Sequence, residues 1–157
     1  VIQRRAEERP VFTVRRKAGP FSGPRELEWL MHWETERAKG CEDIILQSKL
    51  RAGKTTLQLT HGIRDGKWAL AEQKLEVEHP YPNTWEVDPL GAYLIPKLTG
   101  TATGAEVFDG LIKEGAIGGS LDPRRFARTL GELVSGGFVV VDKHEPPAQK
   151  QREQEEI

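Results

Sequence analysis

The apolar positions of this chain change period along its length, and the changes divide it into regions. Over residues 24–39 the spacing is helical. Leu27, Leu30, Met31 and Ala38 fall along one face, and Trp29 and Trp33 stand one turn apart. Pro24 suits the first turn of that helix, Ser22 is placed to cap it, and Gly40 to end it. Ahead of it, residues 11–14 read as a short strand closed by the Gly19-Pro20 turn. Over 43–50, 55–62 and 67–77 the pattern becomes β-rich, with Leu57 and Leu59 on one side and Gln58 and Thr60 on the other. Arg64-Asp65-Gly66-Lys67 is a hairpin signal, because Asp and Gly both tolerate positive φ. The three runs predict an antiparallel meander. A sheet of this kind cannot leave both faces wet, so a helical layer is expected against one of them.

His79-Pro80-Tyr81-Pro82-Asn83 breaks the β pattern, and the helical period returns beyond it. Asp88-Pro89 opens a helix whose inward face is read as Leu90, Tyr93, Leu94 and Leu98, with Pro96 predicting a stop or kink near Ile95. A second helix over 104–114 turns Val107, Phe108, Leu111 and Ile112 inward. A third, capped by Asp122-Pro123, buries Phe126, Leu130, Leu133 and Val134 and stops at Gly136-Gly137. Residues 138–141 form an apolar strand, and the Pro, Gln, Glu and Lys beyond Glu145 read as a disordered tail. The expected fold is α+β, a helix-backed antiparallel meander followed by a helical lobe. Its parts are a basic arm over 1–10, the meander lobe over 11–79, a linker over 80–87, the helical lobe over 88–142 and a charged tail over 143–157.

Composition narrows the function. With 37% hydrophobic and 30% charged residues, the 157-residue chain suits a soluble protein with an ordinary core. The net charge of −1 argues against bulk electrostatic binding to nucleic acid or anionic membrane, although Arg4, Arg5, Arg9, Arg15, Arg16 and Lys17 cluster near the start. A single cysteine, Cys41, rules out an intramolecular disulfide and most cysteine-based zinc sites, and points to a reducing, cytoplasmic setting. The chain opens on Val1, which also fits a processed protein of an organellar matrix. No apolar run approaches the ~20 residues that cross a bilayer, so no membrane partner is expected.

Candidate chemistry is sparse. Gly53-Lys54-Thr55-Thr56 resembles the end of a phosphate-binding loop, but Ser48 stands where that loop needs glycine, and a strand pattern follows where it needs a helix. Glu28, His32 and Glu36 share a helical face and carry the donor types of a metal-dependent enzyme, yet no second helix supplies further ligands. His61, His79 and His144 lack a neighbour in sequence that would orient a general base. No catalytic constellation is recognisable, and no cofactor is implied.

Residues 88–142 have a rhythm of their own. A helix leads to Leu98-Thr99-Gly100-Thr101, the next carries Glu106-Val107-Phe108, and the third runs Leu130-Gly131-Glu132-Leu133 before Gly136-Gly137-Phe138-Val139-Val140-Val141. This third of the chain resembles the winged-helix modules appended to peptide-modifying enzymes and to some methyltransferases and oxygenases. The resemblance implies one of two binding modes. A peptide can add as a strand to a sheet edge, or a helix can enter the major groove of DNA. For DNA that helix is 123–135, with Arg124, Arg125 and Arg128 flanked by Asp122 and Glu132. The expected function is a non-catalytic accessory subunit or recognition module that binds a protein or peptide partner within a larger complex. Strand addition is placed at 43–50 or 138–141, the latter edge carrying Phe138 and Val140. Nucleic-acid binding and a metal-dependent His/carboxylate enzyme are the alternatives. Trp85, beside the 79–83 break, is the candidate interface anchor, since tryptophan is enriched at interface hot spots.

Overall fold

The structure is a computed structural model that describes residues 13–20 and 22–148; the expected basic arm over 1–10 lies outside them. Helix α1 spans Pro24–Gly40. It starts at Gly23, whose N–H donates to Glu26 Oε2 at 2.9 Å. Ser22 is no cap: its hydroxyl accepts from the Gly19 N–H and donates to the Pro80 carbonyl. The buried side of α1 is Trp29, Leu30 and Trp33 rather than a stripe reaching Ala38, which is exposed. A buried indole N–H needs an acceptor, and these two decide where α1 lies. Trp33 donates to the carbonyl of Gly131 in helix α5 (Pro123–Ser135) at 3.0 Å, and Trp29 to that of His144 at 2.7 Å. The chain is thereby held against α1 at His144, at the start of the expected charged tail, and 149–157 lie outside the described residues. Thr13 and Val14, half of the strand expected over 11–14, are not in a strand.

The run at 43–50 is a helix first and a strand only at its end. Glu42 and Asp43 place negative charge at the N-terminus of α2 (Glu42–Gln47), where the helix dipole favours it, and Ile45 turns into the core. Strand β1 follows at Lys49–Ala52. Its partners come from the far half of the chain. Leu50, Arg51 and Ala52 pair antiparallel with Val141, Val140 and Val139 of β6 (Val139–Val141). On the other side β1 pairs with β5 (Thr99–Thr103). The first sheet is thus β5-β1-β6, and α2 packs against both α5 and α4 (Gly104–Lys113). Trp33, Ile45, Leu50, Leu111, Leu130, Val134, Phe138 and Val141 lie in one hydrophobic cluster, so the core crosses the boundary expected between the lobes. The 80–87 stretch belongs to it, with Pro80, Tyr81 and Val87 buried around strand β4 (Asn83–Glu86).

Within 88–142 the order is α3 (Pro89–Leu94), a 3₁₀ turn at Ile95–Lys97, β5, α4, α5 and β6. Helix α3 stops before Pro96 as expected, but it buries Gly91 and Leu94 and leaves Leu90 and Tyr93 exposed. Strands β5 and β6 do not pair with each other; β1 separates them. The second sheet, β2-β3-β4, is a meander, with β2 at Thr55–Arg64 and β3 at Lys67–Val77. The class is α+β, with the meander shifted by one strand along the chain; among the described residues no helix lies over its outer part, where Leu57, Leu59, Ile63, Trp68 and Leu70 are exposed.

A candidate docking surface

The turn Asp65-Gly66 has φ of 51° and 73°, the geometry in which a two-residue loop matches the strand twist. It closes a hairpin in which Arg64 pairs with Lys67 and, at the far end of the two strands, Thr55 pairs with Val77. Strand β4 reaches only Lys74–Val77, so from Gln73 outward the sheet is a two-stranded arm. At ~3.3 Å per residue, β2 is about 33 Å long. Its outer edge pairs with no strand among the described residues.

One register shift decides what this arm presents. Thr60 pairs with Glu72 but His61 pairs with Leu70, leaving Ala71 as an extra residue in β3. An added residue inverts the alternation of everything beyond it. Without it, Leu70 and Trp68 would lie on the face opposite Leu75. With it, directly opposed pairs put Leu57, Leu59, His61, Ile63, Trp68, Leu70, Gln73 and Leu75 on one face. Every charged side chain of the arm lies on the other. There Gln58 donates to Glu76 at 2.7 Å, and Lys74 bridges Glu72 at 2.8 Å, which raises the lysine's pKa.

The apolar face starts in the core and runs out into water. Leu75 is buried, and its partner Trp85 is half-buried with its ring 5.8 Å from that of Phe138. Beyond them Leu57, Leu59, Ile63, Trp68 and Leu70 are 45%, 51%, 68%, 74% and 44% exposed. A Trp three-quarters in water at the end of a continuous apolar row is not a surface that a folded chain gains from on its own.

The residues singled out from sequence fall elsewhere. Phe138, just before β6, and Val140, within it, are 2% and 5% exposed, so neither side chain reaches the surface. Trp85 sits at the root of the arm's apolar face, not on its exposed part. Arg124 and Arg128 of α5 turn toward the acidic start of α2, at 2.9 Å from Asp43 and 2.7 Å from Glu42. The Arg128 hydrogen bonds hold the Glu42 carboxyl below its ordinary pKa and raise that of the guanidinium. Arg125 is exposed on the same helix. The three arginines therefore do not present one free cationic row. His32 stacks on His144 at 5.6 Å, and among the described residues no group of three or more His, Cys, Asp or Glu is placed to hold a metal ion.

Two clefts lined by charged residues lie elsewhere on the described surface. One of about 450 Å³ is lined by Glu34, Arg37, Cys41 and Arg128 among others. Glu34 is 1% exposed; Arg37 holds its Oε2, and Oε1 has no hydrogen-bond partner among the described residues. Burial pushes the Cys41 thiol up, away from the reactive thiolate. The other cleft, about 380 Å³, lies at the root of the arm beside His79. Burial lowers the His79 pKa, so the ring is neutral at pH 7 and its 3.8 Å approach to Glu26 is no ion pair.

Sequence reasoning saw the alternation in β2 but not the exposed face. The signal was present: in 67–77 the large apolar side chains switch from even positions (Trp68, Leu70) to odd ones (Leu75, Val77), as a bulge requires. Among the described residues no helix is long and apolar enough to cross a membrane. Compared with protein-family models, curated proteins and solved structures, the chain matches none.

Proposed function

We propose that this protein is a non-catalytic docking module, an accessory subunit or recognition element that holds a protein partner through the β2–β3 arm. The observation that carries the reading is the uncharged row from Leu57 to Trp68, left in water by a two-stranded ribbon. Such ribbons are marginal alone, and large exposed apolar patches mark interaction sites. A partner laid on the row removes it from water and adds a layer that the arm lacks. The β2 edge adds a second mode. Residues 55–63 carry no Asp, Glu, Lys, Arg or Pro, the usual protections of an open edge, so a partner's strand can extend the sheet. Strand addition, expected from sequence at 43–50 or 138–141, is thereby moved to β2.

A photo-crosslinking residue in place of Ile63, expressed in the native host, tests this directly. Covalent adducts to another polypeptide chain are expected at position 63, and far fewer from the same probe at Thr60 on the polar face. Equal or absent adducts at the two positions would falsify the docking role.

A further inference from the structure

We infer that the occupant of the arm's apolar face is a second copy of this chain, seated face to face about a two-fold axis. The inference rests on the docking reading and names its partner. Three observations support self-recognition.

The first is charge. The eight positions on the face include no Asp, Glu, Lys or Arg; its polar members are His61 and Gln73. Two copies of a charged face would set like charges together. Two copies of this one do not, and the net charge of −1 adds little repulsion between chains.

The second is shape. The row runs the length of the arm, and a two-fold axis near Leu59 and Leu70 lays the tip pair, Ile63 and Trp68, over the exposed Leu57 at the root of the other copy, Leu75 beside it being already buried. Apolar meets apolar at both ends, as an isologous contact requires. The polar face, with Glu72, Lys74 and Glu76, stays in water.

The third is area. At about 150–250 Å² for a large apolar side chain, the exposures of the five residues leave on the order of 500 Å² in water. Two faces together then bury about 1,000 Å², the lower bound for a specific interface. The charged 149–157 segment, whose one large apolar residue is Ile157, does not match such a face.

The test is the mass of the full chain in solution by light scattering across a concentration series. A particle of twice 17.6 kDa is expected, with a dissociation constant on the order of micromolar, as suits an interface at this lower bound. Trp68→Lys and Ile63→Lys, both exposed in one copy, are expected to give monomers with an unchanged circular dichroism spectrum. A wild-type chain that stays monomeric while a probe at position 63 captures a different protein overturns the second copy and leaves the docking reading standing. Dimers that persist in both lysine variants overturn this interface. No adduct at position 63, with a monomeric chain, overturns both.

Discussion

The two sheets of this protein treat the same kind of side chain in opposite ways. In β5-β1-β6, Leu50, Val139 and Val141 lie at 0–1% exposure beneath α2, α4 and α5. In the arm, Leu59, Ile63 and Trp68 alternate just as regularly but are 51%, 68% and 74% exposed, with no described element laid over them. The difference lies in neither propensity nor pattern. It lies in whether helices elsewhere in the chain have an apolar face left to offer. Among the described residues those of α1, α4 and α5 are already spent on the first sheet and on one another, which leaves them no face to lay on the arm.

The largest expected effect separates the regions outright. Trp33 is fully buried and its indole donates to Gly131, so Trp33→Ala loses packing, leaves a cavity and orphans an acceptor. It should lower the unfolding free energy by about 3–5 kcal/mol. Trp68→Ala, measured at a concentration where the chain is monomeric, should stay within about 0.5 kcal/mol, because it removes an exposed side chain. Chemical denaturation of both variants checks this. Similar losses at both sites would mean that the arm's face is covered within the monomer.

Backbone fit gives a smaller contrast. Gly53 links β1 to β2, and a Cβ there would stand 2.1 Å from the Gly137 carbonyl oxygen. Both are backbone positions, so neither can give way cheaply. Gly53→Ala should cost about 1–3 kcal/mol by displacing the root of the arm from the core. Gly110, inside α4, has nothing within 4 Å of its would-be Cβ, and Gly110→Ala should stabilise the fold by up to about 1 kcal/mol through helix propensity alone. The two melting temperatures should move in opposite directions.

Legibility followed the range of the interactions. Caps and turns are local, so Asp122 capping α5, the stop before Pro96 and the Asp65-Gly66 turn could be read from neighbours in sequence. The 43–50 run was misread because a short apolar stretch has no decisive period, and its choice of helix depends on the fit of Ile45 into the core formed with α4 and α5. The place of β1 between β5 and β6 is longer-range still, set by pairing across about 90 residues of sequence. Trp85 is singled out by residue type and its place beside the 79–83 break, and Phe138 and Val140 as part of an expected sheet edge; none of these says whether a side chain reaches the surface. The exposed arm was hidden for a different reason. Alternation predicts a sheet with an apolar face, and only the tertiary arrangement shows that no described element covers it.

The smallest effect, through pH, concerns the side of the comparison where histidines are enclosed. Burial lowers the pKa of His79, at the root of the arm, and of His144, against α1. Glu26 beside His79, and Glu36 and Asp142 near His144, oppose the shift; Lys54 and His32 reinforce it. In the unfolded chain both rings titrate near the ordinary value of about 6.5. The folded state therefore binds fewer protons than the unfolded one as pH falls through 6.5 toward the lowered folded values. Stability is fully present above that window and declines as it is entered from the alkaline side. The melting temperature should fall between pH 7.5 and about 5.5, before the carboxylates titrate, and the slope should flatten in His79→Asn combined with His144→Asn. An unchanged slope in that pair would place the titration elsewhere.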